Sequence, residues 1–497
     1  MSQVRSKIVL RSRRGMTRVP PRPFAVRKLC QSLVSLILCG VAAVACGQDS
    51  ILLKGGELLV GNGTHIKNGA LLIRDGKIAA AGRRVRAPRG VETVDVSGKV
   101  LTPGLIDVWT TLSAAARGGG GRFDARAADN FNRFDTDNLQ AALRGGVTTV
   151  YLPARGPDGV CGMGSVVRLA GEDPNTRVLE SDAALCVAVG LGRGGPLARV
   201  KSRAAFRKLW IDAKAYRRAQ EDYAEKLTEY EKKLKERAES GEADTDKAKK
   251  NADKSKKNDK GKHSAVRPRR RRPPRGGANT AGNEKPKKKN AKDELKKPVE
   301  PAIDRNKELL LRALDGAFPV RVEAHRPEDI LDVLDVAEEF NLALILEGAS
   351  GSARLSELLG ERKIPVVLPS TRPMLAFTAG LERYARPDTA AILSDAGAAV
   401  YLGSGPAGAG RSATRHLALN VAGAVGAGLS ARKALQLVTR DAARLLGIDD
   451  RVGSLARGMS ADVVVWSDQP FAPGARVERV YIAGKEVYSI SDSGDDE

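Results

Sequence analysis

Histidine is nearly missing from this chain: four residues in 497, at His65, His263, His325 and His416. A metal centre built mainly from imidazole needs several rings converging on one ion, so the supply is thin from the start. Cysteine is as sparse. Of five, Cys30, Cys39 and Cys46 fall in or beside the N-terminal apolar run, leaving Cys161 and Cys186 for the body. At most one internal disulfide is available there, which excludes a disulfide-built domain. Nucleotide and nucleophile signatures are missing too. "GRGGP" and "GPAGAG" carry no Walker lysine-serine and no full G-x-G-x-x-G. "LGSGPAG" lacks the G-x-S-x-G spacing and a histidine partner. Cys161, in "DGVCGMGS", reads as a rim-loop thiol without a placed base.

Acid is scarce in two places, and that decides what the net charge of +24 means. Residues 1–30 hold nine Lys and Arg and no acid, and residues 241–300 hold 21 against nine. The remaining body is close to neutral, so the basic balance belongs to the two segments. The first leads into "QSLVSLILCGVAAVACGQDS", whose apolar run is too short to span a bilayer comfortably. We read 1–46 as a secretory or lipoprotein signal, with Ala43-x-Ala45 as a cleavage site or Cys46 as the lipidated residue. The protein is expected to be exported, either periplasmic or lipid-anchored in the cell envelope. The second segment, 241–300, has almost no large apolar residue, and we read it as a disordered basic insertion. It lacks stacking aromatics and so has no base-reading platform. As a partner it fits an anionic surface or polymer held by charge alone.

What is present is regular. "ILLKGGELLVGNGTHIKNGALLIRDGKIAAAGRRV" alternates apolar runs with NG and DG turns, and "ADVVVWSDQPFAPGARVERVYIAGKEVY" does the same at the far end. Neither buries a core alone, so 51–100 and 451–488 are expected to form one composite β-sandwich. Between them, "VLTPGLIDVW", "GVTTVYLP", "PVRVEAH", "LALILEG", "IPVVLP" and "AAVYLG" are apolar strands alternating with helices such as "DNLQAALRGG", "PEDILDVLDVAEEFN" and "ARKALQLVTRDAARLLG". That is the α/β pattern of a parallel sheet covered by helices, compatible with a (β/α)8 TIM barrel over 101–202 and 301–450. Apolar residues at steps of three and four from Phe206 to Leu234 predict a long helix over 203–240, docked at its start and exposed near its end.

Four stretches carry a resemblance. "LLIRDGKIAAAG…VDVSGKVLTPGLID", "AALRGGVTTVYLP", "FPVRVEAHRPEDILDVLDVAEEFNLALILEG" and "RVGSLARGMSADVVVW" together resemble the amidohydrolase superfamily, in its imidazolonepropionase-like, metal-dependent hydrolase subgroup. The resemblance implies a (β/α)8 barrel with a composite β-sandwich. It also implies hydrolysis of non-peptide C–N bonds of cyclic or linear amides by one or two divalent metals. The family's ligand positions are largely altered. Its x-His-x-His after PGLID is Trp109 and Thr111, its His-Ala-His is Glu323-Ala-His325, its Glu-His is Glu347-Gly348, and its last-strand aspartate falls on Ser404 or Gly405. Only His325, with Glu323, remains to hold a metal. The expectation is a degenerate centre with no cofactor and a binding role, with a small-molecule ligand at the barrel mouth. An active hydrolase would need zinc or manganese at an atypical site, and a third reading makes the basic insertion a polyanion-binding element. No oligomeric state follows from the sequence.

Overall fold

The computed structural model describes residues 50–113, 123–156, 158–171, 174–191, 195–239, 295–369, 384, 386–405 and 413–490. The chain divides into two compact units, 1–48 and 49–497, and every described residue lies in the second. The expected signal, His263 and nearly all of the basic insertion lie outside the described residues. No helix among those described is long and apolar enough to cross a membrane.

The two chain ends build one eight-stranded sheet. Strands β1 (Ser50–Leu59), β2 (His65–Arg74), β3 (Lys77–Gly82), β4 (Glu92–Asp95) and β5 (Val100–Pro103) come from the first. The second supplies β14 (Val463–Trp466), β15 (Val477–Ile482) and β16 (Lys485–Ser489). The order is β16-β15-β14-β5-β1-β2-β3, with β4 paired to β1. The sheet curls, because Ile78 N–H donates to the Met459 carbonyl and Ala461 N–H to that of Gly76. Leu53, Leu71, Ile73, Val463, Val465 and Tyr481 thereby share one core. The join of β5 and β14 is what ties N-terminus to C-terminus, with Val464 opposite Thr102.

The apolar run "VLTPGLIDVW" is not one strand. Its first half is β5 in the sandwich and its second is β6 (Leu105–Asp107) in the barrel. Gly104 makes the turn between them, and a Cβ there would press into the Thr148 side chain. The barrel continues through β7 (Val147–Leu152), β8 (Gly159–Arg168), β9 (Val178–Ala188), β10 (Val320–Ala324), β11 (Leu344–Gly348), β12 (Pro365–Leu368) and β13 (Ala399–Leu402), in sequence order. It is an eight-stranded α/β barrel with one departure from the all-parallel pattern. β8 runs antiparallel to both β7 and β9, a hairpin where a rim loop was expected.

Helices α1 (Thr136–Arg144), α2 (Gly195–Glu239), α3 (Arg305–Leu314), α4 (Pro327–Phe340), α5 (Ser356–Glu361), α6 (Thr389–Asp395), α7 (Leu417–Gly426), α8 (Ala431–Leu437) and α9 (Arg440–Leu445) accompany the strands. The expected single helix "ARKALQLVTRDAARLLG" is broken into α8 and α9 at Thr439, whose φ of −133° and ψ of −100° leave the helical region. The break frees the Val438 carbonyl to accept the Ile106 N–H at 2.8 Å, tying α8 to β6. The long helix α2 starts at Gly195, earlier than its apolar spacing indicated. Phe206, Trp210, Ala213 and Tyr216 are buried against the body, whereas Leu234 is exposed. That is the stripe acting as a dock along the first half only.

Barrel closure rests on a seam rather than a ladder. Among the described residues, the first and last strands are joined beyond their ends by one isolated bridge, Thr110 with Gly405. Around it, Gly405 N–H donates to the Trp109 carbonyl at 2.8 Å. Asp107 Oδ1 accepts from Ser404 N–H at 2.9 Å and from Trp109 N–H at 3.2 Å. The Thr110 and Thr414 hydroxyls bond at 2.6 Å. Asp107 is fully buried. Burial pushes its carboxyl up from 3.8 to about 6, against the pull of the Ser404, Trp109 and Thr414 donors.

Because the folded pKa is raised, this group's contribution to stability is whole below pH 4. It is lost as pH rises through about 6, a change on the order of 3 kcal/mol. Asp107→Asn keeps the acceptor without the charge. In urea titrations across that window, the wild-type midpoint is expected to fall relative to that of Asp107→Asn as pH rises. Asp107→Leu, which loses the acceptor, is expected to be destabilised throughout. Parallel pH profiles for wild type and Asp107→Asn would refute the assignment.

Candidate functional site

The barrel interior is filled from β6 inward. Trp109 is buried and packs with Ile106, Tyr151, Cys186, Ile345 and Val367. Its indole Nε1 finds no hydrogen-bond partner among the described residues. Strand β6 ends at Asp107, so the alternation of a strand does not reach Trp109 and Thr111. Trp109 goes into the interior, and Thr111 is half-buried beyond the strand.

Across the barrel, Arg321 from β10 is buried, with its guanidinium 3.7 Å above the Tyr151 ring. Its Nε is 2.6 Å from Glu347 Oε1 on β11, and its Nη2 donates to the Val108 carbonyl at 2.8 Å. The register sets Arg321 opposite Ile345 and Glu323 opposite Glu347, so the two strands deliver both carboxylates to adjoining levels. Burial pushes the Glu347 carboxyl up, with the Arg321 charge opposing.

Nearer the mouth, Glu323 Oε1 lies 3.4 Å from His325 Nε2 and 3.6 Å from Arg155 Nη2. Burial alone would raise Glu323, but His325 and Arg155 together outweigh it and hold the carboxyl below its usual range. His325 Nδ1 is 2.9 Å from Ser350 Oγ. The position where the family's later histidine was expected, Gly348, has φ +78°, a conformation side chains rarely adopt. A Cβ on it would collide with the His325 ring. In this arrangement the ring occupies the space a second histidine would need.

Ser404 lies two residues past the end of β13, is buried, and gives its N–H to Asp107. Gly405 bridges Thr110 instead. Ser404 is therefore the residue that shares the seam with a carboxylate, although neither position supplies one itself. The other histidines lie elsewhere. His65 opens β2 and pairs with Glu57, and exposed His416 accepts from Arg415.

Cys161 is not on a rim loop. It sits on β8 and, like Cys186 on β9, belongs to the interior cluster, neither joined in a disulfide. Burial pushes the Cys161 thiol up, and that of Cys186 to about 12, so neither is a ready nucleophile. Sequence reasoning passed over three site residues: Asp107, Tyr151 and Arg155. Asp107 stood in the quoted "PGLID", and its place as a lone acid among apolar neighbours was the signal. Nothing in the sequence marked the other two.

The amidohydrolase family model matches residues 203–487, more than half of the chain. The chain belongs to the amidohydrolase family. A Thermotoga maritima amidohydrolase of known structure is 25% identical with a TM-score of 0.64, covering 88% of this chain and 100% of that one. An uncharacterised protein at 16% identity and TM-score 0.50 shares the fold, over 88% of this chain and 100% of its own. Imidazolonepropionase of Staphylococcus aureus is 46% identical over 61 residues, 12% of this chain. That match spans 14% of the relative, about a seventh of its length.

Amidohydrolases are generally metal-dependent, so the donors here can be tested against that need. Indole offers no lone pair to a metal, and Gly348 and Ser404 offer no imidazole or carboxylate. Glu347 is held by Arg321, and Glu323 by Arg155 and His325. Among the described residues no group of three or more His, Cys, Asp and Glu converges. These residues do not fit the family's metal centre.

Arg321→Met would leave Glu347 buried and uncompensated, with an expected loss of about 3–5 kcal/mol in chemical denaturation. Arg321→Met combined with Glu347→Leu should recover most of it. A double variant as unstable as the single would show that the pair is not what holds this region.

Proposed function

We propose that this amidohydrolase-family protein is exported, has given up metal-dependent hydrolysis, and works by binding. The observation that carries this reading is the occupation of the family's metal-ligand positions by the chain's own groups. Trp109 fills the interior, Arg321 and Arg155 neutralise the two carboxylates, and the His325 ring covers Gly348. Catalysis by a bound ion needs an open coordination position and free donors, and these residues spend theirs on each other. The surroundings are not decayed. "PGLID", "GVTTV" and "GSLARGMSADVVVW" form intact strands and turns of the fold. Export is supported by the basic stretch and short apolar run before residue 47. Ligand capture is assigned to the mouth, with the basic insertion as a second, charge-driven contact for anionic surfaces.

Elemental analysis of the purified mature protein, before and after dialysis against zinc and manganese, tests the central claim. Substoichiometric metal in both samples is expected, together with no turnover of cyclic or linear amides. Retained metal near one equivalent, with amide hydrolysis that falls on His325→Ala, would instead establish an atypical active centre built on Glu323 and His325.

A further inference from the structure

Away from the barrel mouth, a cavity of about 280 Å3 opens where the sandwich meets the helical layer. Its apolar lining includes Leu59, Leu435 and Phe471, and its polar lining is Glu57, Thr64, His65, Arg432, Gln436 and Gln469. These come from different parts of the fold: Glu57 and Leu59 from β1, Arg432, Leu435 and Gln436 from α8, and Phe471 from the β14–β15 connection.

Three features mark it as organised. Glu57 is held in place, since its Oε1 lies 2.6 Å from His65 Nε2 and accepts from Gln469 Nε2 at 2.7 Å. Both contacts are on one oxygen, so the other remains as an acceptor. Arg432 is exposed and forms no ion pair among the described residues, an unneutralised cation on the opposite element. Phe471 stands at φ +73°, a strained setting for a bulky residue, and such strain gathers at binding sites.

We propose that this cavity binds a small zwitterion with an apolar side chain, of the α-amino-acid class. The carboxylate of Glu57 takes the ammonium group, the Arg432 guanidinium takes the carboxylate, and Phe471, Leu59 and Leu435 take the side chain. The size agrees, being just under the roughly 300–1,000 Å3 of sites for larger ligands and too small for a nucleotide cofactor. Opposite charges on two elements beside an apolar lining match a ligand carrying both signs better than a simple anion or cation.

Isothermal titration of the full chain with L-phenylalanine tests it. One saturable site per chain is expected, weakened about tenfold or more by Arg432→Gln and by Glu57→Gln, as for loss of a charge-assisted contact. His325→Ala should leave binding unchanged, which separates this site from the mouth. 3-Phenylpropanoate and 2-phenylethylamine, each lacking one charge, should bind at least about tenfold more weakly. No saturable binding would overturn the proposal. So would affinity unchanged in Arg432→Gln, an exposed substitution that leaves the fold intact, or equal binding of the single-charge analogues.

Discussion

Everything in this barrel hangs on how its first and last strands are joined. Strands elsewhere exchange ladders of hydrogen bonds, but β6 and β13 are joined beyond their ends by one bridge, and a buried carboxylate supplies the rest. Asp107 is placed to accept two backbone N–H groups, one from each side of the gap. Backbone donors left bare in a buried seam would carry a desolvation penalty of about 1–3 kcal/mol each, comparable to the cost of burying the carboxylate. The seam also aims Trp109. With its N–H on Asp107 and its carbonyl on Gly405, the residue is fixed at both ends of its peptide, and the indole has nowhere to go but the interior.

Once the indole fills that space, the charges at the mouth are paired among the chain's own groups. Two carboxylates stand on neighbouring strands, and leaving either unpaired in a dry interior is far costlier than pairing it. The guanidiniums of Arg321 and Arg155 meet that demand at two depths. The deeper carboxyl, Glu347, is still pushed up by burial, whereas Glu323, nearer the mouth and served by two partners, is held down. An arginine cannot release its charge at any working pH and is fixed by covalent connection, so both carboxylates have permanent counter-charges.

The fold was legible because its determinants are local. Apolar runs bounded by Gly, Asn and Asp turns define strands in any context, and the pairing of the two ends follows from each being too small to bury a core. The β8–β9 hairpin was not legible, since "GVCGMGSVVRLAGEDPNTRVLESDAALCVAVG" has the apolar content of either a strand pair or a strand and loop, and only pairing partners decide. The split of "VLTPGLIDVW" depended on Thr148 lying against Gly104, a contact 44 residues away. At the site, the altered positions 109, 111, 323 and 348, and the pair 404 or 405, could be read one by one. That they are mutually consistent could not, because the clash between His325 and a side chain at 348 exists only in three dimensions.

The same helix that lines the cavity beside the sandwich also braces the seam. Arg432, Leu435 and Gln436 face the cavity from α8, and the next residue after that helix, Val438, gives its carbonyl to Ile106 one position before Asp107. A ligand held between Glu57 and Arg432 would restrain α8 against the sandwich, and so restrain the carbonyl that positions the first barrel strand. Contact of this kind becomes coupling only if α8 has two settings with different affinity for the ligand. The break at Thr439 is where such a difference would be absorbed, because its backbone already lies outside the helical region and its side chain is anchored on the Leu435 carbonyl at 2.6 Å.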